Sequence, residues 1–264
     1  MKIVIRDSQK ANKFSAMIQN LKYLNDSVSF YFKPEGLYIQ CMDGNHCCLF
    51  ECTITSKWFD EYTFSQTDDP SNIGISMPLF HKVINVRHDS QTLELELRDD
   101  FKNFILIHFV NSQDGKFDKH FQLSLIYMDY EPMEPTPIET LVDLTMDGKT
   151  LCELINQLMI FNDVLSVTFK EEDIYFISSG SEGSMKVDIK MDDVKEYAIG
   201  ENSTLTQCYS LKYFQLMCHF NKLSTEIKMG FSTGMPMTMK YDLGDDSNVL
   251  FHLAPKISDD YDEQ

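Results

Sequence analysis

Cys41, Cys47, Cys48 and Cys52 form the densest cluster of potential metal ligands in the chain. Structural zinc is held by thiolates and imidazoles that arrive in closely spaced pairs. Here no paired CxxC spacing occurs, and the total of seven cysteines is odd. A zinc site is one reading. The other is a set of reduced, mostly buried thiols in an intracellular protein. Gly180-Ser-Glu-Gly183 has the spacing of a GxxG loop that clamps a nucleic-acid backbone. It falls between two strand-like segments, however, where a tight turn is the expectation. Asp43-Gly-Asn45 begins like a calcium loop but lacks the later ligands. The histidines are scattered, and His46 and His252 stand in strand-edge contexts as surface or packing residues. No P-loop, GxGxxG, HExxH or GxSxG is present. No catalytic residue, metal ligand or cofactor is assigned, and an enzyme is not expected.

The elements around these residues come in two copies. Residues 127–140 hold Pro132, Pro135 and Pro137. Proline removes a backbone donor and fixes φ, so neither a helix nor a central strand runs through such a stretch. An extended surface linker is expected. Before it lies Ile18-Gln-Asn-Leu21-Lys-Tyr-Leu24-Asn25-Asp26, and after it Ile155-Asn-Gln-Leu158-Met-Ile-Phe161-Asn162-Asp163. Phe32-Lys33 then matches Phe169-Lys170 without a gap, and Leu37-Tyr38-Ile39 matches Ile174-Tyr175-Phe176. A looser pair follows, Ile75 to Phe80 against Tyr209 to Phe214. Two copies of one domain, 1–126 and 141–257, are expected on either side of the tether, with an acidic disordered tail at 258–264.

Period and turn chemistry place one helix and several strands in each quarter of the chain. Apolar residues at helical spacing mark 9–24, 77–88, 148–162 and 210–221. Alternating segments mark strands at 2–6, 28–32, 37–41, 46–54, 92–98, 103–110 and 121–127 in the first half. In the second half they mark 141–146, 165–170, 173–179, 184–190, 204–209, 225–231, 236–243 and 248–253. A helix must cover the apolar face of a sheet, so α+β domains with helices on one side follow.

Composition bounds the partners. At 264 residues and 43% apolar content the chain has ample core. It has no apolar run long enough to span a membrane, and a signal peptide is not expected. The net charge of −18 argues against a nucleic-acid binder when taken whole. The charge is unevenly spread. Lys10, Lys13, Lys22, Lys82, Arg87, Lys149, Lys212 and Lys222 lie on or just past the candidate helices. Only Glu153 and Asp163 oppose them there, out of 41 acids in the chain. Ordinary solvated helix faces are the bland reading, but an acidic protein should place acids on its helices too. If the helices share one side, that side is a positive surface suited to phosphates and indifferent to base sequence.

Two stretches carry a family resemblance. Gly36-Leu-Tyr-Ile-Gln-Cys-Met-Asp-Gly-Asn-His-Cys-Cys-Leu-Phe50 and Leu253-Ala-Pro-Lys-Ile257 resemble the DNA sliding clamps of the proliferating cell nuclear antigen (PCNA) family. Length, repeat and linker position agree over essentially the whole chain. The resemblance implies a ring of three subunits, strands outside and four helices lining a hole around duplex DNA. It implies Lys13, Lys22, Lys82, Arg87, Lys149, Lys212 and Lys222 as DNA-facing residues. Partner peptides would enter a socket of Met42, His46, Cys47, Leu49, Met133, Pro236, His252, Ala254 and Pro255, although Leu49 also reads as core. The joining edges would be 119–125 and 174–182, with Lys119, Phe121 and Leu123 meeting Ile177, Ser179, Gly180 and Glu182. The implied partners are DNA polymerase, other replication and repair proteins with a clamp-binding peptide, and a clamp loader. The implied compartment is the nucleus, or a cytoplasmic replication site for a viral member. Departures from the family are His252 for tyrosine, Cys47 for valine, the three linker prolines, and Glu153, Asn156 and Ile160 where bases are usual. Two alternatives are a monomeric, heteromeric or checkpoint-type clamp subunit and a peptide-binding scaffold that does not encircle DNA.

Overall fold

In the computed structural model, residues 1–64, 72–111, 117–128 and 131–256 are described. The expected tail at 258–264 lies outside them, as do 129–130 of the linker. The chain divides into two compact units. The first comprises Met1–Gly44, Phe50–Met133 and Asp242–Val249; the second comprises Asn45–Leu49, Glu134–Tyr241 and the segment from Leu250.

The first unit begins with β1 (Lys2–Ile5), α1 (Ser8–Leu21), β2 (Ser27–Lys33), β3 (Gly36–Met42), β4 (Cys48–Thr55), β5 (Glu61–Thr63) and β6 (Asn72–Ser76). It continues with α2 (Met77–Ile84), β7 (Thr92–Glu96), β8 (Phe104–Val110) and β9 (Lys119–Ser124). One layer has the strand order β5-β1-β7-β8-β9, and the other includes β4-β3-β2-β6. All the described pairings are antiparallel, with Lys2 opposite Glu96 and Ser27 opposite Ser76. Ile3, Ile5, Phe14, Ile18, Phe30, Ile75, Phe80 and Leu95 are buried in the core. Trp58 is fully buried and donates its indole N–H to Leu243 O at 3.1 Å.

The second unit repeats the plan with β10 (Val142–Asp147), α3 (Gly148–Leu158), β11 (Val164–Phe169), β12 (Ile174–Gly180), β13 (Gly183–Ile189), β14 (Glu196–Ile199) and β15 (Leu205–Ser210). After them come α4 (Leu211–Cys218), β16 (Glu226–Phe231), β17 (Met237–Gly244) and β18 (Ser247–Leu253). The strand orders are β14-β10-β16-β17-β18 and β13-β12-β11-β15. These match the first unit strand for strand. Leu144, Leu151, Ile155, Val167, Phe169, Phe176, Phe214 and Phe231 form the core.

The helices end earlier than their apolar spacing predicts. α1 stops at Leu21 and α3 at Leu158, because the following residues turn back in tight backbone hydrogen bonds, Leu24 N to Leu21 O and Ile160 N to Gln157 O. The strands β5, β6 and β14 are not among the expected ones; β5 and β14, with three and four residues, are too short to give a period. Both longer helices start on an aspartate. Asp7 accepts from Lys10 N and Asp147 from Thr150 N, each at 2.8 Å. These bonds satisfy amides that a helix start otherwise leaves open.

The bonds to Thr150 hold the Asp147 carboxyl below its ordinary value of 3.8. A depressed carboxyl stabilises the fold above its unfolded-state pKa, and that contribution disappears as pH falls through the folded-state value. Asp147→Ala should therefore lower stability at pH 7 by about 1 kcal/mol, with Asn retaining most of it. In urea melts the gap between wild type and the alanine variant should close below pH 3.8.

Candidate functional site

Within the first unit, α1 and α2 lie side by side and carry four of the expected DNA-facing residues. Lys82 is exposed and Lys13 half-buried. Lys22, at the end of α1, reaches α2, where its Nζ lies 2.9 Å from His81 Nε2. Asn85 Nδ2 also approaches that ring nitrogen, at 3.0 Å. Burial and the Lys22 charge lower the His81 pKa. A neutral ring accepts at Nε2 and carries its hydrogen on Nδ1.

Arg87 corrects one expectation. Its side chain is only 3% exposed. The guanidinium donates to Ser15 Oγ, to Asn12 Oδ1, and to the carbonyls of His88, Asp89 and Gln91. Its donors are committed to the turn after α2 and to α1, which leaves little of it to face a phosphate. From the sequence it looks like any helix-end base.

In the second unit Lys149 and Lys222 are exposed. Lys149 lies 3.9 Å from Glu153, and Lys212 pairs with Asp163 at 2.6 Å. Exposed pairs of this kind hold their partners weakly, so the charges stay available to a polyanion. Glu153 is the single acid within the four helices.

The expected socket residues are divided between the units. In the second unit Cys47 and Ala254 meet directly, Ala254 N donating to Cys47 O at 2.9 Å. Lys256 N then donates to Cys208 O at 2.7 Å, which lays the C-terminal segment on β15. His252, Ala254 and Pro255 are half-buried at the end of β18. His46 is exposed in a left-handed turn, and Pro236 is half-buried in the turn before β17. Leu49 is buried and belongs to the core.

In the first unit Met42 is half-buried and Met133 is 38% exposed. Gln40 joins their neighbourhoods. Its side-chain amide donates to Met133 O and accepts from Met133 N, both at 2.8 Å, so it holds the linker backbone as a strand partner would. Tyr38 and Glu51 support it, with Tyr38 OH donating to Glu51 at 2.5 Å and Gln40 Nε2 to Tyr38 OH at 2.8 Å. Sequence reasoning gave Gln40 no role. The available signal was its place inside the Gly36–Phe50 stretch, at a position expected to be a strand.

One expected joining edge requires correction. β9 is the last strand of its layer, with β8 as its neighbour. β12, however, is paired on both sides, Ser166 opposite Ile177 and Ser178 opposite Met185. The edge is β13, so 174–182 does not present open backbone. Ile177 and Ser179 lie inside the sheet, Gly180 ends β12, and Glu182 belongs to the two-residue turn that leads to β13. On β9, Lys119 is turned back to Val86 O, the Phe121 ring packs tilted against Phe109 with centroids 5.5 Å apart, and Leu123 is buried.

Gly180 and Gly183 face each other across that turn. A Cβ on Gly180 would meet Phe161 O at 2.2 Å, and one on Gly183 would meet the Phe161 ring at 2.7 Å. Packing against Phe161 accounts for both glycines. Cys41, Cys48 and Cys52 are buried, and burial beside Asp43 pushes the Cys41 thiol up to about 12. Among the described residues no group of three or more His, Cys, Asp or Glu side chains could hold a metal.

Two α+β units of matching topology, each with two helices, define a duplicated clamp-type fold. The family model for the PCNA N-terminal domain matches residues 7–132, and that for the C-terminal domain matches 139–256. The chain belongs to the proliferating cell nuclear antigen family. It is 24% identical to the DNA polymerase sliding clamp of Thermococcus gammatolerans over 94% of this chain and 96% of that one. It is 23% identical to the proliferating cell nuclear antigen of Dictyostelium discoideum over 94% and 97%. It is 24% identical to proliferating cell nuclear antigen 1 of Plasmodium falciparum over 96% and 97%.

Arg87→Ala should cost about 3 kcal/mol of stability, because it opens a buried charged network. Lys should not restore it, since a single ammonium cannot replace the fork. Lys82→Ala should change stability by no more than about 0.5 kcal/mol. Urea unfolding compares the three. Gln40→Ala should speed amide exchange at Met133 by about tenfold, the equivalent of one hydrogen bond, while exchange in β9 stays unchanged.

Proposed function

We propose that this chain is a DNA sliding clamp. Three copies close head to tail around duplex DNA and tether DNA polymerase and other replication and repair proteins. The match of both family domain models supports the clamp role. The observation within this chain that carries the DNA-binding reading is the charge of the helices: Glu153 is their single acid in a chain of net charge −18. Lys13, Lys22, Lys82, Lys149, Lys212 and Lys222 are the residues assigned to the DNA, through phosphates and without base reading. Arg87 is withdrawn from that set. The clamp needs no chemistry of its own and no cofactor, because encirclement replaces affinity.

The edges favour closure by strand pairing. β9 and β13 are each the last strand of their own layer. Pairing β9 of one copy with β13 of the next would continue both sheets and cover the half-buried Phe121, Met185 and Val187. Such a heterologous contact makes a ring when its rotation closes.

For partner capture, the proposed contact residues are Met42 and Met133 on the first unit and His46, Cys47, Pro236, His252, Ala254 and Pro255 on the second, with Leu49 in the core. An apolar and aromatic peptide anchor suits them. A loader that opens the ring belongs to the same reading. The nucleus is the proposed compartment, on the strength of the eukaryotic relatives.

Light scattering should give three times the 30.7 kDa chain mass, stable on dilution. Phe121→Asp on the edge strand should lower it to one chain. Alanine at all six lysines should leave the mass unchanged and reduce polymerase stimulation on primed circular DNA at least tenfold. Unchanged stimulation would remove these residues from the DNA face. A wild-type monomer at every concentration would replace the homotrimer with a heteromeric clamp subunit.

A further inference from the structure

Two imidazoles face each other in the first unit. His108 lies in β8 and His120 in β9, directly opposite in the antiparallel register. Their Nδ1 atoms are 2.8 Å apart. A strand alternates its side chains between two faces. Ile105, Ile107 and Phe109 of β8 point into the core, so His108 points the other way, and His120 beside it is exposed. β7 brings two carboxylates to the same face. Glu94 is opposite His108 and pairs with Lys2 at 2.9 Å. Glu96 Oε2 is 4.0 Å from His108 Nε2, the ring nitrogen that His120 leaves open.

The close approach of the two Nδ1 atoms has two uses. In a neutral pair, one nitrogen carries the hydrogen and the other accepts it. The same nitrogens also suit a metal ion. Two ligand nitrogens about 2.0 Å from one ion and at a right angle are about 2.8 Å apart, whereas the tetrahedral angle of zinc requires about 3.3 Å. Right angles belong to the tetragonal and square-planar coordination of copper(II) and nickel(II). We propose that His108 and His120 form a two-histidine clip for a late first-row divalent ion of this kind, bound through both Nδ1 atoms with water at its remaining positions.

The ion takes the place of the shared hydrogen. The donor ring moves its hydrogen from Nδ1 to Nε2, both rings turn to aim Nδ1 at the ion, and a neutral pair loses no proton. Glu96 stands beside the Nε2 edge of His108, where carboxylates commonly orient metal-bound histidines. Burial and the neighbouring His120 lower the His108 pKa, which favours the neutral ring that a metal requires. Adjacent strands hold the two side chains at a fixed spacing, so the second nitrogen adds its grip without a further search. Under the clamp reading β9 is a joining edge, and an ion here would fasten that edge strand to its sheet. The clip itself stands without that reading.

The test titrates the full-length protein, in its native assembly at neutral pH, with nickel chloride in a calorimeter. One saturable equivalent per chain is expected. His108→Gln and His120→Gln should each weaken it by about tenfold or more, whereas His88→Gln should leave it unchanged. Circular dichroism melts check that each variant remains folded. A footprint on the wild type decides the matter if one does not. Diethylpyrocarbonate labels exposed imidazoles, and nickel should protect His120 while the exposed His46 and His88 stay labelled. An equivalent that survives in both folded glutamine variants, protection at a different histidine, or no saturable binding would overturn the proposal. None of these outcomes depends on DNA binding or on ring closure, so the clamp reading and this one can fail separately.

Discussion

Each unit depends on the backbone carbonyl of one aspartate. Asp26 O accepts from Met77 N at 2.9 Å, and Asp163 O accepts from Leu211 N at 2.8 Å. These bonds fix the first residue of α2 and α4 against the loop that leaves α1 and α3. Helix starts have amides to satisfy, and neither α2 nor α4 has a side-chain cap; Ser76 and Ser210 make none. The tertiary bond takes the place of a local one. It also sets the register of the strands that follow each loop, with Ser27 opposite Ser76 and Val164 opposite Ser210. The Asn-Asp pairs that close the sequence repeat therefore have a structural task. The neighbouring asparagines add to it, Asn25 Oδ1 accepting from Ser27 N and Asn162 Oδ1 from Asp163 N.

The second repeated pair is explained in the same way. Tyr62 OH donates to Lys33 O and Tyr197 OH donates to Lys170 O, each at 2.6 Å. The hydroxyls belong to β5 and β14, two of the short strands that the sequence pattern does not reveal. Here the repeat was visible at the acceptor, Phe-Lys at the end of a strand, but not at the donor. A three- or four-residue strand has no measurable period, and its pairing is decided by partners far away in sequence. The long helices and alternating strands were legible because their apolar residues report burial directly.

The functional side chains divide along a similar line. Charge was legible as a total over each helix, since few acids appear there. It was not legible residue by residue. Lys10 shows why: it lies on α1, yet its ammonium reaches Trp58 O and Asp245, both at 2.8 Å. Arg87 is taken up in the same manner by Ser15 and three carbonyls. Whether a base is a surface charge or a structural clamp depends on acceptors brought near by the fold, and no local pattern encodes them. The joining edge was misplaced for an equivalent reason. β12 and β13 both read as alternating strands, and only the sheet order tells which one has a free side.

Gln40 extends the same reasoning from folding to function. A buried amide in a strand must have partners, because an unpaired polar group in the interior is costly. Its neighbours Tyr38 and Glu51 occupy part of its capacity, and the backbone of Met133 takes the rest. The linker is thus tied to its unit by a core residue and not only by its prolines. Proline limits the conformations available to 132–137, but it cannot specify where the segment lies. The glutamine supplies the position and the prolines supply the stiffness. A segment restrained in both ways would lose less entropy if, as the proposed function has it, a partner peptide settled against Met133.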